Sequence, residues 1–504
     1  FHFIDFIPQR YHTTQPARLN STSFQTISPT FHVNFRVLFS LFFRDLQAKD
    51  SPMVGGRKKK AVEDKKNEPE PKKGRFPGVK KLELPLPERP KVKGNVLACG
   101  QNDVGQLGLG EDVQEKTRPA LVGGLKNVVD VRAGGMHSLC LTATGEVWSF
   151  GCNDEGALGR DTSEEGSEMI PGRVKLPEKC LKISAGDSHS ACLLESGHVY
   201  AWGSFRDSHG SMGLTLEGNK REPIALLPDV LVADIASGAD HLVILASEGK
   251  IYTVGCAEQG QLGRVSNRTA SGESRRGKKD LLMPEAVVSL KTRLIEAIWT
   301  TNFATFYQDH ATKGIYAFGL NNYNQLAMPE KLRKRTLLYT PTRTEISNVK
   351  DLSGGQHHTL VVKDDNQCHV IGRKEYGRLG LGEKTDDAVE LTQITELQKY
   401  SIAAVSCGDS QSFALTTDGK VFGWGMGSSH QLGLGSDTDV FVPTQLTGQQ
   451  VLGKKVLRVD SGGQHTIFLV EDSTAKASGD TASVPVEKRN GTAEGSKAKK
   501  GSKK

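Results

Sequence analysis

Apolar residues in this chain come in short runs closed by glycine, and the runs recur. One phrase is seen as Val96-Leu-Ala-Cys-Gly100, Val147-Trp-Ser-Phe-Gly151, Val199-Tyr-Ala-Trp-Gly203, Ile251-Tyr-Thr-Val-Gly255, Ile315-Tyr-Ala-Phe-Gly319, Cys368-His-Val-Ile-Gly372 and Val421-Phe-Gly-Trp-Gly425. The closing glycines lie 51, 52, 52, 64, 53 and 53 residues apart. A second phrase follows it, as Gly105-Gln-Leu-Gly108, Gly156-Ala-Leu-Gly159, Gly260-Gln-Leu-Gly263, Gly377-Arg-Leu-Gly380 and, loosened, Asn324-Gln-Leu-Ala327. Each first phrase after the Gly100 one is preceded by another apolar run and a turn, as in Ala133 to Leu141 and then Thr144-Gly145. β-Branched and aromatic runs separated by such turns are hairpins. A unit of about 52 residues therefore supplies four strands, one propeller blade, and seven units predict an all-β, seven-bladed β-propeller. The Gly100 phrase has no hairpin strand before it, and Val459 to Val470 has no glycine phrase after it. The first and last segments are thus expected to share one blade, which closes the ring and leaves few sheet edges open.

Composition refines the boundaries. The chain has 504 residues, of which 55 are glycine, 37% are hydrophobic and 24% are charged, enough apolar material for a large core. Its net charge of +7 is unevenly placed, since residues 53–93 carry 14 basic against 6 acidic side chains. Residues 94–470 are mildly acidic by difference. The expected organisation is a 1–52 extension, a 53–93 basic disordered tail, the 94–470 propeller and a 471–504 basic disordered tail. Met53 is the first methionine, so residues 1–52 are expected to be sequence translated from upstream of the native start. Their arginines and scarce acids also loosely imitate an organelle transit peptide. The apolar run Phe35 to Phe43 is about half of a bilayer span and contains Arg36, so no membrane partner is expected. None of the eight cysteines forms a C-x-x-C pair, which argues against zinc and thioredoxin-type sites and fits a reducing compartment. Metal and cofactor are both expected to be absent, with no triad, metal cluster or phosphate loop in view.

The repeats resemble those of the regulator of chromosome condensation family over residues 94–470. Asn153 to Asp161, Ala185-Gly-Asp-Ser-His189, Ala201-Trp-Gly-Ser-Phe-Arg-Asp207 and Glu375-Tyr-Gly-Arg-Leu-Gly-Leu-Gly382 are similar to the family's founding member in animals, insects included. The repeat by itself specifies fold more than function. The resemblance implies a guanine nucleotide exchange factor for the small GTPase Ran, bound to chromatin, acting in nuclear transport, spindle assembly and envelope formation. Such a factor promotes GDP release without covalent chemistry. It implies a nuclear monomer, with a cytoplasmic fraction in mitosis. A non-exchanging scaffold or chromatin adaptor of the same fold is the alternative.

One register reads His137, His189, His241, His357 and His465, with Phe303 and Gln411 in the other copies, and is expected to form a polar ring near the central channel. These histidines could serve either a docked partner or hydrogen bonds to the adjacent blade. The resemblance implies that Asp187, Asp240 and His357 carry the exchange step and that His137 and His465 belong to the docking face. It likewise implies that Phe205, Arg206, Asp207, Ser208, His209 and Gly210 form a protruding β-wedge; an ordinary long hairpin is the other reading. The longest interval between glycine phrases holds a basic insertion after Gly263, in which Ser266, Arg268 and Arg275 are implied to meet the H2A/H2B acidic patch of the nucleosome. Arg57, Lys58, Lys59, Lys60, Lys65, Lys66, Lys72 and Lys73 have the spacing of an importin-read nuclear signal and suit DNA phosphates as well.

Overall fold

A computed structural model describes residues 83–270 and 277–472. Their strands resolve into seven four-stranded antiparallel units, each built around the hairpins foreseen from the glycine phrases. The second blade, for example, runs Val128–Ala133, His137–Thr142, Val147–Gly151 and Gly172–Arg173 from the centre outward. The innermost strands of the other blades are Cys180–Ala185, Val232–Ser237, Ile295–Thr301, Val349–Gly354, Ile402–Cys407 and Val456–Ser461. Each contacts the next, and Val456–Ser461 returns to Val128–Ala133, so the seven close a ring. Together they enclose a central cavity of about 370 Å³.

The closing blade pairs the two ends of this body. Gly94–Gln101 lies antiparallel to His465–Glu471, in register from Gly94 opposite Glu471 to Gly100 opposite His465. The Asp460 carboxylate then accepts the Ala133 N–H at 2.9 Å, joining this blade to the second.

The second glycine phrase and the aromatic residue of the first have one structural cause. A Cβ added to Gly159 would lie 2.7 Å from the Trp202 ring, and one on Gly263 2.7 Å from the Phe318 ring. The glycine ending each Gly-x-Leu-Gly phrase thus makes room for the aromatic side chain of the next blade, and it does so in a left-handed conformation. The leucines of these phrases, Leu107, Leu158, Leu262 and Leu379, are all buried, and Leu107, Leu262 and Leu379 join the core clusters.

The tail boundary requires correction. Residues 83–93, assigned by composition to a disordered tail, make fixed contacts with the propeller. Leu84 N–H donates to the Ser247 carbonyl at 2.7 Å and its side chain packs on the fourth-blade core. Arg89 spans Cys180 O, Ala143 O and Glu195. Leu84, Leu86, Pro87 and Pro90 interrupt the lysine-rich composition here, and the charge count obscured that change. Arg57, Lys58 to Lys60, Lys65, Lys66, Lys72, Lys73 and Arg275 lie outside the described residues. Among the described residues no helix is long and apolar enough to cross a membrane.

Candidate functional site

The second strand of most blades opens on a buried polar residue: His137, His189, His241, His358, Gln411 and His465, with Ala304 in the fifth. Two members of the sequence register are therefore corrected. His358 replaces His357, and Ala304 replaces Phe303. The phrase Ser353-Gly-Gly-Gln-His357 matches Ser461-Gly-Gly-Gln-His465 in letters, but the turn closes one residue later, from the Gly355 N–H to the His358 carbonyl. A spacing signal could have found it. His137, His189, His241, His358 and Gln411 each pair with the closing glycine fourteen residues on.

The ring residues do not face a partner. His137 and His465 are 1% and 0% exposed, and their Nε2 atoms meet Ser190 Oγ at 2.8 Å and Ser138 Oγ at 3.0 Å in the adjacent blade. His358 meets Ser412 and His241 meets Thr305 in the same way. These are staples between blades, and they stand on the second strand rather than along the channel. Direct docking through His137 and His465 is thus corrected, because their rings lie beneath the turns. A Cβ on Gly134 would sit 2.2 Å from the His137 ring. Burial pushes the pKa of His137 down to about 4, and those of His189, His241 and His465 to about 3. Two staples are missing. Leu242 stands where a hydroxyl would receive His189, whose ring nitrogens are unpartnered, and Ala304 leaves Thr359 Oγ1 unpartnered.

The turns above the staples form the mouth of the channel. Backbone bonds link them laterally, from Asp187 N–H to Ala239 O, Ala239 N–H to Asn302 O, Gln356 N–H to Asp409 O and Gly463 N–H to Gly135 O. Onto this collar the sequence places Asp187 and Asp409 at one level, with Asp240 and His357 one residue further along their turns. Asp187 is solvent-accessible yet set deep in the collar. Its carboxyl is raised well above the usual range, first by loss of solvation and then by the negative charges of Asp240 and Asp409. Burial raises Asp240 to about 7, with Asp207 and Glu258 adding to the shift against the pull of Arg206. Asp409 is raised by burial too, although the Asn302 amide donates to it at 2.7 Å. Sequence reasoning missed Asp409; Gly408-Asp-Ser410 repeats the Gly186-Asp-Ser188 phrase and was the available signal.

The third blade carries a separate hairpin of Phe205–Asp207 and Gly210–Gly213. Phe205 is fully buried against the His189 ring at 4.7 Å, while Arg206, Ser208 and His209 are exposed. Asp240 holds the hairpin by accepting the Arg206 N–H at 2.9 Å, and Glu258 accepts both the Ser208 N–H and hydroxyl. Asp207, His209 and Glu258 bring ligand-type atoms within 4.8 Å of one another, with Glu258 already engaged by Ser208. His357 is half-buried beside Tyr323, with Nδ1 3.3 Å from Asn322 Oδ1. Acidic collar, His357 and hairpin therefore share one mouth of the ring.

The basic insertion follows Gly263 in the fourth blade. Ser266 and Arg268 are exposed at the short helix Asn267–Ala270. Arg264 anchors its base by donating to the carbonyls of Thr253, Asp280 and Met283.

Comparison with known proteins places this architecture. The family model described as RCC1-like domain matches residues 95–468. The chain is 54% identical over 388 residues to the Regulator of chromosome condensation of Drosophila melanogaster, covering 77% of this chain and 70% of the relative. Against the human protein of that name it is 46% identical over 410 residues, covering 79% and 95%. The crystal structure of Prp20p from Saccharomyces cerevisiae, described with its binding properties to Gsp1p and histones, superimposes with a TM-score of 0.69 at 25% identity, covering 79% of this chain and 94% of that one. The chain belongs to the RCC1-like domain family.

Proposed function

We propose that this protein is a guanine nucleotide exchange factor for Ran, that the acidic mouth and its hairpin act on the GTPase, and that the basic segments hold the protein on chromatin. The observation that carries the exchange reading is the collar of Asp187, Asp240 and Asp409 beside a protruding hairpin whose backbone is tied to Asp240. Exchange needs no nucleophile. It needs a surface that binds the empty GTPase better than the loaded one, and by linkage nucleotide then expels the factor. Carboxylates presented where the GTPase holds Mg²⁺ and phosphate compete for the groups that cradle them, and a wedge displaces those groups. A ten-thousandfold acceleration corresponds to about 5.5 kcal/mol off the release barrier. Family membership and the resemblance to Prp20p, described with Gsp1p and histones, support this reading.

On the chromatin side, Ser266 and Arg268 stand exposed on an anchored insertion, suited to the H2A/H2B acidic patch together with Arg275. The 53–82 segment would neutralise DNA phosphates and be read by importin, giving a nuclear, chromatin-associated protein acting as a monomer. The test is release of mant-labelled GDP from Ran. Acceleration by catalytic amounts of the full chain is expected; release at the spontaneous rate by folded protein would leave a scaffold.

A further inference from the structure

Four of the turns that follow the closing glycines share a capping device. Their buried glutamines, Gln106, Gln261, Gln325 and Gln431, each use Oε1 to accept the N–H two residues earlier, from Val104, Gln259, Tyr323 and Ser429 at 2.8 to 3.0 Å. Two turns depart from it: Ala157 leaves the second blade's turn without a glutamine, and in the sixth blade Arg378 occupies that position, where a guanidinium has no acceptor. Arg378 is 1% exposed, and its Nε instead donates to the Glu375 carbonyl at 2.8 Å.

The sixth-blade turn differs in form, and the Arg378 bond to Glu375 rather than the missing glutamine alone accompanies this, since the Ala157 turn keeps Glu155 out of positive φ. Tyr376, at the third position of the turn, has φ 60° and ψ 13°, values of a type II turn that ordinarily call for glycine. None of Val104, Glu155, Gln259, Tyr323 and Ser429, at the same position in other turns, has positive φ. The strain leaves Tyr376 46% exposed over the buried Arg378 guanidinium, 5.4 Å from its ring centroid. Arg378 Nη1 has no partner. Beside it Arg373 lies 5.1 Å over the Tyr323 ring, which in turn packs edge-on against His357. The exposed ring therefore belongs to the same mouth as the acidic collar.

We infer that Arg378 is a positioning residue that holds the Tyr376 turn in its left-handed form, and that Tyr376 with Arg373 is a docking point for the GTPase. It would take an apolar side chain flanked by a hydrogen-bond acceptor: Tyr376 offers a rigid ring, and Arg373, whose Nε is paired with Glu375, offers its remaining guanidinium N–H groups. A strained residue kept on an exposed turn is the kind of cost that accompanies function. The inference rests on the exchange reading and concerns affinity rather than the release step.

Stopped-flow release of mant-GDP, measured across GTPase concentrations beside thermal melting, tests it with the full-length protein. Tyr376→Gly keeps the left-handed turn without the ring, and should raise KM at least fivefold with kcat within twofold while Tm rises. Arg378→Gln restores the glutamine cap and should give the same KM shift, whereas Tyr376→Phe should retain the wild-type KM. Wild-type KM in Tyr376→Gly, with wild-type protein active, overturns this docking point alone. An inactive wild-type protein instead overturns the exchange reading beneath it.

Discussion

Asp240 gives an oxygen to the Arg206 N–H, yet burial and the nearby charges of Asp207 and Glu258 hold its pKa at about 7. Because this value is above that of an unfolded aspartate, folding favours the protonated form. The resulting stabilisation is full below about pH 4 and is lost as pH rises through 7. Asp240→Asn keeps the acceptor and removes the charge. At pH 8 it should therefore be more stable than wild type by on the order of 2 kcal/mol, discounted for the solvent that Asp240 retains, with the gap narrowing to about a third of that at pH 5 and closing near pH 4. Denaturant titrations at the two pH values check this. Function has the opposite dependence, since repulsion needs the ionised carboxylate. The maximal release rate should climb between pH 6 and 8 in wild type, and the climb should flatten in Asp240→Asn.

The blade staples make a different pH prediction. His137, His189, His241, His358 and His465 are buried neutral, with folded pKa values below the unfolded value of about 6.5. Their contribution is full above that value and is lost as pH falls toward 4, each by up to about 1.4 kcal/mol per pH unit. Asp187 and Asp240 pull the other way, so the net slope is less than five protons. Urea unfolding between pH 7 and 5 should show this acid lability, and His465→Gln, copying Gln411, should reduce the slope by about one proton. Gly186→Ala tests the packing beneath the staples. Its Cβ would lie 2.1 Å from the His189 ring and 2.5 Å from Gly238 O, so about 3 kcal/mol or more should be lost in thermal or urea unfolding. At this scale the sequence was informative because each Gly-x-Leu-Gly phrase records one inter-blade contact. It was misleading at His357, where identical letters occupy different phases of a turn, and silent about the Arg378 turn, whose consequence emerges only beside the glutamine caps of other blades.

For the whole molecule, ring closure and the two ends were legible because strands must be paired, whereas the anchored 83–93 segment was hidden by its basic neighbours. Under the proposed function, charge would serve two tasks, with the acidic collar meeting the GTPase and the basic sequence of residues 53–82 meeting DNA. Deleting residues 53–82 should weaken nucleosome binding and flatten its salt dependence, while release from free GTPase stays within twofold; binding titrations at several salt concentrations check the first part. The anchored 83–93 segment remains in that variant, so the propeller should melt unchanged. The most direct measurement is the maximal rate of mant-GDP release at saturating Ran for a protein carrying Asp187→Asn with Asp240→Asn. The account predicts a fall of at least tenfold in a folded variant; a rate equal to wild type would contradict it.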